Sequence, residues 1–160
     1  VDAISMTDCT LLLAGKFTLS VERDIAIAKE GWRKVAELGH INRDEVKKVL
    51  SRSMAGLVTL HPIINYIDAL PVKMFEYMSA GIPVITSNFP LWKEIVEGNN
   101  CGICVDPLDV GEIANAINWI TSNPQQARRM GENGRKAVEE KYNWEQEGDK
   151  LSMLYRRLLS

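Results

Sequence analysis

One stretch constrains this chain more than any other: Asp68-Ala-Leu-Pro-Val-Lys-Met-Phe-Glu-Tyr-Met-Ser-Ala-Gly-Ile-Pro-Val-Ile85. Pro71 suits a helix start, because the N–H it lacks would have no partner in the first turn. Residues 72–80 then read as helix, with Phe75, Met78 and Ser79 on one face and Lys73, Glu76 and Ala80 on another. Gly81 ends it, since glycine takes the left-handed conformation at little steric cost. Residues 82–86 form a β-branched run in which Pro83 is tolerated only near the start of a strand. The order is loop, short helix, glycine stop, buried strand. In an open α/β sheet that order sets a helix N-terminus near the carboxyl ends of strands, where anionic ligands bind.

The rest of the chain alternates in the same way. Residues 1–6 read as the end of a helix, and residues 10–14 as an apolar strand of the kind buried on both faces, closed by Gly15. Residues 21–32 read as a helix capped by Ser20, with Arg23 where a capping box needs Glu or Gln. Residues 35–39 form a second strand. Asn42 caps the next helix, Glu45 completes its capping box, and Val46, Val49 and Leu50 form its apolar stripe. Residues 56–60 make a third strand, and residues 61–70 a loop long enough to suggest function. A helix over 91–97 stops at Gly98, and residues 102–105 make a fifth strand. Asp109 and Glu112 open a helix that buries Ile113, Ala116, Ile117 and Ile120. Asn123 caps a helix with Pro124 at its first position, running towards Lys141 and weakened by Gly131 and Gly134. Residues 144–159 form the last helix. Strands alternating with helices predict an α/β fold, a doubly wound parallel sheet with helices on both faces.

At 160 residues the chain has room for one domain with a sizeable core. Its 46% apolar and 25% charged content argue against disorder. A net charge of −2 speaks against nucleic acid as an electrostatically held partner. No apolar run approaches the ~18 residues that span a membrane. Three cysteines, an odd number, fit reduced thiols in a cytosolic protein. Cys101 and Cys104 have CxxC spacing, but they lead into a strand rather than a helix N-terminus, which favours a structural reading over a redox one. Cys9, His40 and His61 are scattered singly, so no four-ligand zinc set is visible. The chain contains neither a GxxxxGK[ST] loop nor a GxGxxG after its first strand. Its opening, Val1-Asp2-Ala3, lacks a signal-peptide pattern and reads as a cut into a larger protein.

The stretch from Asp68 resembles the signature of the retaining glycosyltransferases of the GT-B fold (family four). That signature has Glu, seven residues, Glu, then Met, a small pair, Gly, any residue, Pro and Val. Here Glu76 is the second acid and Met78-Ser79-Ala80-Gly81-Ile82-Pro83-Val84 the tail. Asp68 stands at the first acid, and Ala69-Leu70-Pro71-Val72 replaces the family's glycine-rich step. Leu91-Trp92-Lys93-Glu94-Ile95-Val96-Glu97-Gly98-Asn99, Gly102-Ile103-Cys104-Val105-Asp106-Pro107 and Asn143-Trp144-Glu145 resemble later segments of the same family. The resemblance implies that residues 1–160 form a single C-terminal donor-binding domain, the Rossmann-like half of a GT-B fold. It implies a central first strand upstream of Val1, which would leave five strands here, and a segment 144–160 that packs towards an N-terminal acceptor domain. The full enzyme would move a sugar from an NDP-sugar to a glycan or lipid-linked acceptor with retention, in polysaccharide biosynthesis. It would be cytoplasmic, with peripheral association at the inner face of the cell membrane and self-association of this fragment left open. The resemblance implies no bound metal, no cofactor beyond the NDP-sugar substrate and no catalytic residue within the chain, so the fragment alone would be inactive.

By the same resemblance Glu76 accepts hydrogen bonds from the ribose hydroxyls, a task that suits a group with two acceptor oxygens and no donor. On the residues alone it is also a helix-surface acid able to pair with Lys73. Asp68 would touch the transferred sugar, or cap the helix that follows. Ala69 and Leu70 would offer backbone N–H groups to the sugar or diphosphate. Lys73 would contact a phosphate, or stand solvated in a helix turn where a cation opposes the dipole. Gly39, His40 and Ile41 would approach the base, largely through backbone, although His40 also reads as a plain loop residue. Tyr66 could stack on a sugar or base, or pack under its loop. Two rival readings are a non-catalytic doubly wound interaction module and a GT-B sugar-nucleotide epimerase.

Overall fold

Alternating apolar runs and amphipathic segments give, in a computed structural model that describes residues 1–159, five short strands and the helices between them. The order is α1 (Asp2–Ser5), β1 (Leu11–Ala14), α2 (Ser20–Ile27), β2 (Val35–Gly39), α3 (Arg43–Leu50), β3 (Gly56–Val58) and α4 (Ile64–Ile67). Then come α5 (Val72–Ala80), β4 (Val84–Ser87), α6 (Pro90–Gly98), β5 (Gly102–Val105), α7 (Val110–Ser122), α8 (Pro124–Glu140) and α9 (Trp144–Leu159). A 3-10 turn, Glu30–Lys34, joins α2 to β2.

The strands pair in parallel, in two separate groups. One holds β1 and β2; the other runs β3-β4-β5. The second group carries the core. All four residues of β4 are buried, and because side chains alternate across a strand they serve two faces. Val84 joins Val58, Met74, Met78, Trp92 and Val96 on one side, against α5, α6 and α8. Ile85 joins Ile4, Val105, Ile117 and Ile120 on the other, against α1 and α7. Helices therefore cover both faces, as expected of a doubly wound sheet.

Local signals placed several element ends. Asn42 Oδ1 accepts from the N–H groups of Asp44 and Glu45, each at 3.0 Å, while Glu45 accepts from the Asn42 N–H at 2.7 Å. Asp109 caps α7 through the Glu112 N–H at 3.0 Å. Gly81 closes α5 at φ 74°, the left-handed value that favours glycine.

Several expectations need correction. The helix expected over 21–32 breaks after Ile27, because α2 buries no residue that would reward extending it. Buried Gly31 then sits so close to the Val1 carbonyl that a side chain there would collide. Leu19, not Ser20, is the N-cap of α2, so Glu22 rather than Arg23 holds the capping-box position and accepts from the Leu19 N–H. β1 is half-buried rather than buried on both faces. On α5 the buried pair is Met74 and Met78, while Ser79 is exposed, because α8 and β3 pack on the side that Met74 shares with Met78. Asn123 makes no side-chain cap for α8; its amide donates to the Trp119 carbonyl at 2.8 Å and serves the end of α7. Gly131 and Gly134, whatever they cost α8 in helix propensity, are buried contact points of it. Every residue of α9 is exposed, Trp144 included. Ser160, the last residue of the expected 144–160 segment, lies outside the described residues.

Candidate binding cleft

β1 and β3 do not pair with each other. A cleft of about 550 Å³ lies between them. Six consecutive residues, 9–14, line one wall, and Ala55, Gly56, Leu57 and Thr59 line the wall opposite. Side chains of a strand alternate between faces, so an unbroken run of residues can border a space only along the strand's edge. The cleft thus follows the open hydrogen-bonding edges of two strands.

α5 closes one side. Lys73, Glu76 and Tyr77 all border the cleft. The Tyr77 ring lies over Gly56, where a Cβ would strike it, so the absence of a side chain in β3 lets α5 sit close. Burial pushes the Tyr77 phenol above its ordinary range, and the nearby Glu76 charge adds to the rise. Val46, Val49 and Leu50 of α3 and Ile117 and Ile120 of α7 supply apolar lining.

The expected site residues divide into two groups. Ile41, Lys73 and Glu76 meet on this one cleft. Gly39, His40, Asp68, Ala69 and Leu70 lie outside its lining, at the end of β2, just after it, and before α5; all but Gly39 are exposed. Gly39 stands at φ 66°, where the β1–β2 register shifts. Among the described residues no ion pair joins Lys73 to Glu76, and Glu76 is exposed on α5. Asp68 is the C-cap of α4, and α5 has no side-chain cap, so Asp68 does not cap α5 as one reading expected. Tyr66 is exposed, 38% of its surface open, rather than packed beneath its loop. Thr59 and Tyr77 also border the cleft and were not foreseen; a helical Tyr beside an exposed Glu carries no signal that it faces a strand.

The cysteines are free. Burial pushes the Cys101 thiol up to about 11, the reverse of the lowered value a reactive thiol needs. Among the described residues no three His, Cys, Asp or Glu side chains are grouped to hold a metal ion, and no helix is long and apolar enough to cross a membrane.

With this geometry in place, comparison with known proteins gives a consistent picture. The model of the family described as glycosyl transferases group 1 matches residues 3–137. Alpha-D-kanosaminyltransferase of Streptomyces kanamyceticus is 24% identical over 152 residues, which cover 94% of this chain and 38% of that protein. The structure of sucrose-phosphate synthase from Thermosynechococcus elongatus superposes with a TM-score of 0.83 at 27% identity, over 98% of this chain and 40% of that one. Anabaena Alr3699/HepE, solved in complex with UDP, superposes at 0.77 with 21% identity, over 95% of this chain and 43% of that one. The chain therefore spans about two fifths of the length of these relatives.

Proposed function

The chain belongs to the glycosyl transferases group 1 family, and from that membership we propose that it is the donor-binding domain of a retaining glycosyltransferase. The whole protein moves a sugar from an NDP-sugar to a glycan or lipid-linked acceptor, at the cytoplasmic side and in peripheral contact with the membrane. In this reading Glu76 accepts hydrogen bonds from the ribose diol. Lys73 and the N-terminal amides of α5 face the diphosphate, whose negative charge grows as the sugar departs. Asp68, Ala69 and Leu70 meet the sugar, and Gly39, His40 and Ile41 meet the base. The exposed apolar residues Leu151, Leu154, Tyr155 and Leu158 of α9 pack on the acceptor domain.

One observation carries the reading: Glu76, the second acid of the family signature, stands with Lys73 and Ile41 on the wall of one cleft. Support of a coarser kind comes from Anabaena Alr3699/HepE, which has been solved with UDP and with UDP-glucose.

Calorimetric titration of the intact protein with UDP-glucose, GDP-mannose and ADP-glucose tests this. One of them binds, and Glu76→Gln weakens it by ~1.5–3 kcal/mol, the range for hydrogen bonds to a charged group. Unchanged affinity in the variant removes Glu76 from the site. No binding of any of them to the unmodified protein favours the interaction-module reading instead.

A further inference from the structure

The segment between β3 and α5 carries three of the residues assigned above to the sugar, yet its residues 61–66 and 68–70 are exposed. Beyond the short α4 and half-buried Ile67, which packs on the core, the segment has little packing of its own to fix a binding geometry. Two side chains from the core reach it. Ser87, fully buried at the end of β4, donates its hydroxyl to the Leu60 carbonyl at 2.7 Å. Trp92, fully buried in α6, donates its indole N–H to the Ala69 carbonyl at 2.6 Å. The Trp92 ring is itself locked, its centroid 4.8 Å from that of Phe89 at an interplanar angle of 60°.

We propose that Trp92, with Ser87, is a positioning residue for donor binding, clamping the two ends of the segment 60–69 so that Asp68, Ala69 and Leu70 are set before the sugar nucleotide arrives. This rests on the donor-binding reading above. The two anchors are nine residues apart along the segment and belong to elements of the rigid half-sheet, so they convert a loop into a preformed wall. An indole N–H suits the task. It is a donor with no acceptor function and a single direction, on a ring with only two rotatable bonds, so little ordering is left to be done on binding. A leucine or phenylalanine there would be as apolar but smaller, and would leave the Ala69 carbonyl free to turn to water.

The test compares Trp92→Phe, which keeps an aromatic ring and removes the N–H, with Ser87→Ala, which removes only a hydroxyl. Hydrogen–deuterium exchange is followed over residues 60–71. Binding is measured for whichever of UDP-glucose, GDP-mannose or ADP-glucose the unmodified protein takes, and for its nucleoside monophosphate, which has no sugar to touch the clamped segment. The expected result is faster exchange confined to 60–71, sugar-nucleotide affinity about tenfold weaker in each variant, and monophosphate affinity unchanged. Equal weakening of both ligands would mean general structural damage and overturn the proposal. So would unaltered exchange, or faster exchange with no loss of affinity. Failure of the unmodified protein to bind any sugar nucleotide overturns the donor reading itself, while normal binding with silent variants overturns only the clamp.

Discussion

Cys101 has no exposed surface, and desolvation pushes its thiol up to about 11 from 9.0. The fold therefore favours the protonated form. Its contribution to stability is fully present below about pH 9 and is lost as pH rises through 11, a change of about 3 kcal/mol at most. Denaturant midpoints at pH 8.5 and pH 11 should fall further apart in the native protein than in Cys101→Ala. Equal losses would mean that the thiol is not desolvated. The Tyr77 phenol moves the same way but is present in both proteins, so the comparison isolates the cysteine. That this CxxC pair enters a strand was legible from the residues around it. That its first thiol donates to the Val96 carbonyl at 3.5 Å while Gly134 packs against the Cys101 Cβ was not, because those contacts come from separate helices.

At the scale of elements, the crossing of α5 and α8 decides how firmly Glu76 is held. A Cβ on Gly131 would run into the Gly81 carbonyl, and one on Gly134 would lie 3.3 Å from both Cys101 and Met78 side chains. Arg135 then donates to the Ala80 carbonyl at 2.9 Å and the Ser79 carbonyl at 3.3 Å, satisfying the end of α5. Two effects compete in Gly131→Ala. Helix propensity favours alanine by about 1 kcal/mol, and overpacking costs about 1–3 kcal/mol. Backbone lies in the way rather than a flexible side-chain tip, so the second should win, for a net loss of up to ~2 kcal/mol in chemical denaturation. Gly148, with nothing within 4 Å of a built Cβ, is the control; Gly148→Ala should raise helix content. A more stable Gly131→Ala protein would show that the helices separate freely. In a sequence both glycines are simply poor helix formers. Their value appears only when the second helix is in place.

At the scale of the molecule, the feature of consequence is that β1 and β3 face each other across the cleft without pairing. Unpaired strand edges are templates for another chain, and α9 adds exposed Leu151, Leu154, Tyr155 and Leu158. The 160-residue chain on its own should therefore self-associate, with a light-scattering mass above 18.0 kDa that rises with concentration. A stable monomer at all concentrations would mean that the cleft closes by itself. Local chemistry alone determined the alternation of strands and helices, the caps at Asn42 and Asp109, the stop at Gly81 and the family likeness around Glu76. Each of these depends on residues within a turn or two of one another. Only the tertiary structure decided that Ile41, Lys73 and Glu76 share a cleft while Asp68 stands outside its lining. It also tied Trp92 to Ala69 across 23 residues and split the sheet in two. These follow from how separate elements pack, and no periodicity along a chain encodes which buried donor will meet which distant carbonyl.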